Sequence, residues 1–256
     1  MGDIGDPHAV ELAARDCEVL IHVAAASPSG PEGPLGAERV RVEGCRNLLR
    51  AARKNGARRV VVGSGYWVYA DNAGTITEGS PLDPRGESRV NRDTELVALD
   101  PSLRGDVEVV VVRPGMVYGN GSWFRPIVEG VHAGTYRYIA DGSNPWSFVS
   151  LDDAGSGFAR VAESGVPGEV YNLVDGRPVP WRELVDEVAD RLHRPHPTAI
   201  SMEEAARELG PEVAHHLHAR RACSAAKIGS LGWTPRDPDV RAGLARLWPS
   251  MKIPEP

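Results

Sequence analysis

Lysine is almost missing from this chain. It occurs only at Lys54, Lys227 and Lys252, within a total of 29 lysines and arginines. Any site that needs a tyrosine and a lysine one helical turn apart is therefore excluded: none of Tyr66, Tyr69, Tyr118, Tyr136, Tyr138 and Tyr171 has a lysine four positions on. Cysteine is equally sparse. Cys17, Cys45 and Cys223 are odd in number and outside any CxxC spacing, which excludes a disulfide framework or a cysteine-built zinc site and reads as reduced thiols in a cytoplasmic protein. No apolar run reaches the roughly 18–20 residues of a membrane span. The opening residues Met1-Gly2-Asp3-Ile4-Gly5-Asp6 have neither the basic head nor the apolar core of a signal peptide. Surplus positive charge is absent too. A net charge of −6 argues against nucleic acid or an anionic membrane as a bulk partner and leaves a small molecule as the expected ligand.

What is present is a regular order of elements. Asp6-Pro7 reads as an N-cap followed by proline at the first helical position, opening a short helix through Ala14. Val19 to Val23 is strand-like and runs into the small-residue turn Ala24-Ala25-Ala26. Val42, Cys45, Leu48, Leu49 and Ala52 fall at helical spacing, and Gly56 stops that helix. Arg59 to Val62 and Glu108 to Val112 are continuous apolar strands. Strands of that kind alternating with helices predict a parallel sheet covered on both faces. Beyond Arg113 proline, glycine and aromatics rise, and the strands shorten, as at 136–139 and 169–172. Helices are predicted from Trp181 to Leu192 and from Ser201 to Leu209. The second opens on a Ser201/Glu204 capping box, and Asp152 and Asp153 are expected to cap the helix that follows them.

Several segments, in order, resemble the extended short-chain dehydrogenase/reductases of the NAD-dependent epimerase/dehydratase type. Gly2-Asp3-Ile4-Gly5-Asp6 is similar to their "GDl-D" turn, and His22-Val23-Ala24-Ala25-Ala26 to their "hlAa" strand end. Val42 to Leu49 resembles "vegt-nlL", Arg113 to Gly119 "RPg-vYG", and Phe148 to Ala154 "fvhvdDla". Val170-Tyr171-Asn172 and Leu231-Gly232-Trp233-Thr234-Pro235-Arg236 resemble the later landmarks "vyN" and "LGw-Pr". The resemblance implies an α/β fold with a doubly wound, Rossmann-like parallel sheet and a smaller C-terminal substrate-binding lobe. The division expected is a core over 1–115 and a lobe over 116–256, with segments near 147–175 returning to the core. It implies NAD or NADP as cofactor, lined by Asp3, Ile4, Ala24, Ala25 and Pro114, and substrate contacts from Tyr118, Trp123 and Arg125.

Two parts of that family's pattern have no counterpart here. The glycine-rich GxxGxxG turn that receives a pyrophosphate is not in the sequence, and the two βα units that carry it, roughly sixty residues at about thirty per unit, would precede Gly2. The proton-transfer set is replaced as well. By resemblance Glu87 stands where the catalytic tyrosine belongs, Asn91 where its lysine belongs, and Gly65 where the serine belongs, with Ser64 and Tyr66 beside it. Arg41 stands in the place of a helix asparagine. A carboxylate at 87 in a partly apolar pocket would have a raised pKa suited to acid–base work; the plainer reading is a solvated side chain in a site that lost its constraint. Tyr66 and Ser64 either donate to a bound oxygen or fill space, and Arg125 either holds an anion or lies on the surface. His215, His216 and His218 have a spacing compatible with metal, but no carboxylate or cysteine lies close in sequence, so no metal site is expected.

Three functions remain open. The favoured one is a redox-inactive relative that binds a small polar metabolite, a nucleotide sugar or secondary-metabolite intermediate, with redox-neutral acid–base chemistry at Glu87. The second is a working NAD(P)-dependent epimerase, dehydratase or reductase whose start is assigned too late. The third is a non-enzymatic scaffold or regulator. A parallel sheet shortened by its first strands exposes an edge, so a homo-oligomer or a partner covering it is expected in each case.

Overall fold

The structure is a computed structural model that describes residues 2–26, 32–86, 88–120, 122 and 124–251. A first helix α1 (Pro7–Ala13) is capped by the Asp6 carboxylate, which accepts from the His8 N–H. Strand β1 (Val19–His22) follows, then α2 (Gly33–Glu38), a π-helical turn over Arg39–Glu43, and α3 (Gly44–Asn55). Gly56 ends α3 in the left-handed region (φ 73°), which a residue with a Cβ enters only at a cost. The order continues with β2 (Arg59–Gly63), a 3₁₀ turn (Tyr66–Val68), α4 (Ser88–Leu99), α5 (Pro101–Arg104) and β3 (Glu108–Pro114).

The second half runs β4 (Met116–Tyr118), α6 (Arg125–His132), β5 (Arg137–Ile139), β6 (Pro145–Trp146), β7 (Phe148–Ser150), α7 (Leu151–Ser164) and β8 (Val170–Leu173). It closes with β9 (Val179–Pro180), α8 (Trp181–Arg191), β10 (Thr198–Ile200), α9 (Met202–Leu209), α10 (Pro211–His218), α11 (Ala226–Gly229) and α12 (Val240–Leu247).

The main sheet is parallel, in the order β1-β2-β3-β8. Its central strands are buried throughout: Val60, Val61, Val62 and Val109 to Val112 are all fully buried. Alternate valines serve opposite faces. Val60, Val62, Val109 and Val111 pack with α1, α3 and α4 residues such as Ala14, Leu49 and Ala98, whereas Val61, Val110 and Val112 pack with Ala154 and Val161 of α7. Burial on both faces explains why these strands read as unbroken apolar runs. The outer edge of β1 pairs with no strand among the described residues, and Ile21 and Val23 stand 45% and 60% exposed there.

A separate core, built from Tyr118, Phe124, Ile127, Trp146, Trp181, Leu184 and Leu244, joins β4, α6, α8 and α12. Trp146 is part of it, stacked on Trp181 at 4.1 Å. Gly115 lets this half approach the sheet, since a Cβ there would lie 2.6 Å from the Ser147 carbonyl oxygen. The expected cap of α7 is corrected by the structure. Ser150, in extended backbone at φ −68° and ψ 156°, is the N-cap and accepts from the Asp153 N–H; Asp152 and Asp153 occupy the first turn, where carboxylates suit the helix dipole. The Ser201 cap is as predicted, with its hydroxyl accepting from the Glu204 N–H. No helix among the described residues is long and apolar enough to cross a membrane.

Candidate active site

Parallel strands end on one side of a sheet, and the loops leaving those ends are where α/β folds bind ligands. At this side β2 gives way to Ser64 and Gly65, β3 delivers Arg113 and Pro114, and α4 presents Asn91 and Glu95. The centre of the arrangement is a buried ion pair. Glu95 is fully buried and accepts from Arg113 Nε and Nη2, both at 2.7 Å, from Arg92 Nη1 at 3.1 Å, and from Ser64 Oγ at 2.6 Å. Burial opposes the charge on Glu95, but the hydrogen bonds and charge of Arg113 outweigh it, and the carboxyl is held below its usual range. The Arg113 guanidinium lies 4.8 Å over the Tyr69 ring, whose hydroxyl donates to Asn172 Oδ1 at 2.7 Å. Burial pushes the Tyr69 phenol up to about 12.

This network occupies Ser64. Its hydroxyl donates to Glu95, and its N–H donates to the Val112 carbonyl at 2.8 Å, so its role in the structure is to tie β2 to α4. Gly65 and Asn91 do meet: a Cβ at Gly65 would lie 3.1 Å from Asn91 Nδ2. Gly65 has extended backbone (φ −172°, ψ 150°), which any residue adopts, so no backbone strain demands glycine there. Gly65→Ser is therefore expected to fold, with stability changed by less than about 1 kcal/mol in urea denaturation. A loss beyond about 3 kcal/mol would show that the space is closed.

Other expected residues lie elsewhere. Tyr66 is fully buried with Ile76, Val174 and Cys223, its hydroxyl has no hydrogen-bond partner among the described residues, and burial raises its pKa well above the ordinary value. Tyr118 is likewise fully buried and packs its ring on Gly243, where a Cβ would clash with it. Tyr66 thus takes the space-filling alternative in this structure, and the Tyr118 ring also packs in core. Arg125 is mostly exposed and pairs with Glu129 at 2.6 Å one helical turn on, the surface alternative. Glu87 and Trp123 lie outside the described residues. The histidines form no metal-binding group among the described residues. His216 instead stacks on Trp67 at 4.3 Å, and burial, aided by Arg221, lowers its pKa to about 3.

The residues expected around a dinucleotide fit it in part. Asp3 accepts from the Gly5 N–H and from Arg39 Nη1, both at 2.8 Å; that backbone bond, then Arg39, lowers its pKa. Ile4 packs on Gly44, and its carbonyl accepts from Asn47 Nδ2 at 3.1 Å, which fastens this turn to α3. Ala25 is exposed at the end of β1, Ala24 is half-buried, and Pro114 is half-buried at the end of β3. Ala24, Ala25 and Pro114 thus stand at strand ends of the sheet. No strand-to-helix glycine turn among the described residues supplies a pyrophosphate cradle, and Gly63 serves packing instead, since a Cβ there would lie 3.2 Å from the His22 carbonyl.

Sequence reasoning noted the replacement at Arg41 but not its surroundings. Arg41 is the middle of the π-helical turn, and its carbonyl accepts from His22 Nε2 at 3.0 Å. A carbonyl only accepts, so Nε2 carries the proton and His22 Nδ1 is left as a buried acceptor without a partner. Burial, against the opposing hydrogen bond to the Arg41 carbonyl and with a smaller contribution from the Arg41 charge, lowers the His22 pKa. Two clefts of about 450 and 510 Å³ are lined in part by Cys223 and Trp233 and by Asp71, His215 and His218, respectively.

Known proteins share this architecture. The profile of the NAD-dependent epimerase/dehydratase family matches residues 1–173. A 3-diazoavenalumate denitrifying reductase of a Streptomyces species is 31% identical over 249 residues, covering 92% of this chain and 81% of that protein. An Escherichia coli O157:H7 N-acetyl-alpha-D-glucosaminyl-diphospho-ditrans,octacis-undecaprenol 4-epimerase is 24% identical over 204 residues, which span 77% of this chain and 62% of that one. Among solved structures, a dTDP-glucose 4,6-dehydratase double mutant from Streptomyces venezuelae with NAD bound superimposes with a TM-score of 0.81 at 27% identity, over 96% of this chain and 76% of that one. The α/β parallel-sheet fold, the ordered motifs and these matches together establish that the chain belongs to the NAD-dependent epimerase/dehydratase family.

Proposed function

We propose that this chain binds a small polar metabolite, of the nucleotide-sugar or secondary-metabolite kind, at the strand ends around Gly65, Asn91 and Arg41, and does no tyrosine-driven redox chemistry there. The observation that carries this reading is the Gly65–Asn91 contact. Where the family's serine and lysine would act on a substrate hydroxyl, this chain has a hydrogen atom and a neutral amide. An amide donates hydrogen bonds but does not lower a neighbour's pKa as an ammonium does. Any proton transfer then falls to Glu87, and residues 116–256, apart from the segments near 147–175 that return to the core, act as the lobe that shapes the ligand. The bare edge of β1 is the surface that a second copy or a partner covers.

A second reading is favoured by one observation, the 31% identity to a protein named 3-diazoavenalumate denitrifying reductase. A bound NAD(P)H would supply a hydride. An acceptor that takes hydride without building negative charge on oxygen makes no demand on a tyrosine, so the loss of the tyrosine–lysine pair is no obstacle to it.

Titration of the 256-residue chain with NADH and NADPH, followed by calorimetry, separates the two. No saturation up to millimolar cofactor is expected on the first reading. Micromolar binding overturns it in favour of the second.

A further inference from the structure

The fold buries three arginines, and each has an internal partner. Arg113 pairs with Glu95 at 2.7 Å, Arg59 with Glu108 at 2.7 Å, and Arg221 donates to the carbonyls of Tyr69 and His216 at 3.2 and 2.7 Å. Arg41 breaks this pattern. It is half-buried, deep enough for desolvation to lower its pKa, yet no carboxylate, carbonyl or hydroxyl among the described residues accepts from its guanidinium. A half-buried guanidinium that spends none of its donors on the described residues can pair with an anion arriving from solvent.

Its position points to a ligand. The π-helical turn that carries Arg41 packs against α4, the helix of Asn91. Its main chain is fixed by His22 at the end of β1, so residue 41 stands at the ligand-binding side of the sheet. Single-turn π insertions recur at functional sites because they re-aim a side chain that an unbroken helix would place elsewhere. A single guanidinium meets both oxygens of a carboxylate and balances its one charge; it forks to phosphate in the same way but neutralises only part of a dianion's charge.

On the reading that this is the ligand site, we propose that Arg41 receives a carboxylate of the ligand, so that the substrate is a small carboxylic acid held by a guanidinium fork.

The test is nitrogen-15 NMR on the whole chain with three probes: benzoate, benzamide of the same shape without charge, and inorganic phosphate. Benzoate is expected to shift the Arg41 Nε–Hε resonance saturably, with benzamide and phosphate having no effect. R41N should weaken benzoate binding by roughly tenfold or more, and R41K should retain part of it because the charge persists without the fork. Well-dispersed amide spectra show that the variants fold, and the wild-type titration stands without them. Equal shifts from benzamide, benzoate binding unchanged in R41N, or no benzoate effect would overturn the assignment, and a response to phosphate alone would overturn the carboxylate class. NADPH titration of R41N alongside the wild type keeps this outcome separate from that of the cofactor reading.

Discussion

Glu95→Gln is expected to destabilise the fold by about 3–5 kcal/mol, a large share of the about 5–15 kcal/mol that holds a typical domain together. The reason is what remains, not what is removed. Glutamine keeps the shape but not the charge, so Arg113, buried under the Tyr69 ring with one guanidinium nitrogen already without a partner, becomes an unpaired internal cation. Ser64 also loses its charged acceptor, loosening the tie between β2 and α4. The pH dependence has a fixed sign. Glu95 has its folded pKa below the ordinary value of 4.5, so its stabilisation is complete above that value and is lost as pH falls through the lower, folded one. Urea denaturation of the wild type and variant from pH 3 to pH 7 should show curves that diverge as pH rises. Replacing both partners with apolar residues, Glu95→Leu with Arg113→Met, should recover much of the loss. A single-variant loss under about 1 kcal/mol would mean that the pair is not buried as described.

The legible and illegible parts of this molecule divide along physical lines. The central strands were readable because Val60 to Val62 and Val109 to Val112 are buried on both faces, which leaves no polar alternation to confuse them. The caps at Asp6 and Ser201 were readable because each is a lone oxygen side chain before a helical pattern. At the start of α7 three such side chains crowd together, and only the backbone angles at Ser150 decide among them. The π-helical turn left no trace, since Val42 within it and Cys45, Leu48 and Leu49 beyond it keep helical spacing. In the site, the motifs indicated which positions matter but not which way side chains turn. Tyr66 and Tyr118 stand in glycine- and proline-rich stretches that suggest a ligand rim, yet both rings go inward, because an aromatic ring gains more from a core than from water. The engagement of Ser64 by Glu95 links residues 31 positions apart, beyond any local pattern.

Asp175 supplies the other large effect. It follows β8, donates its N–H to the Phe148 carbonyl at 2.7 Å and accepts from the Arg177 N–H at 3.0 Å, while Oδ2 is buried without a partner. Burial, with smaller contributions from the Asp239 and Asp153 charges, raises its pKa from 3.8 to about 7, against the opposing hydrogen bonds from Arg177 and Val240. The buried Tyr118 phenol belongs to the same neighbourhood and is raised by burial and by Asp237, Asp175 and Asp153. A folded pKa above the unfolded one means that the fold prefers the neutral acid. Its contribution is full below about pH 4, declines as pH rises toward 7, and is gone above that. Three pH units correspond to at most about 4 kcal/mol, so a relative loss of about 2–4 kcal/mol is expected between pH 4 and pH 8. Asp175→Asn keeps a neutral side chain at every pH and removes this dependence. The wild-type minus variant stability, measured by urea denaturation at half-unit steps, should fall across that window and then level off. A flat difference would place the Asp175 carboxylate in contact with water or a cation, and Asp239, which caps α12 directly beside it, would then hold that helix without the strain of a neighbouring buried charge.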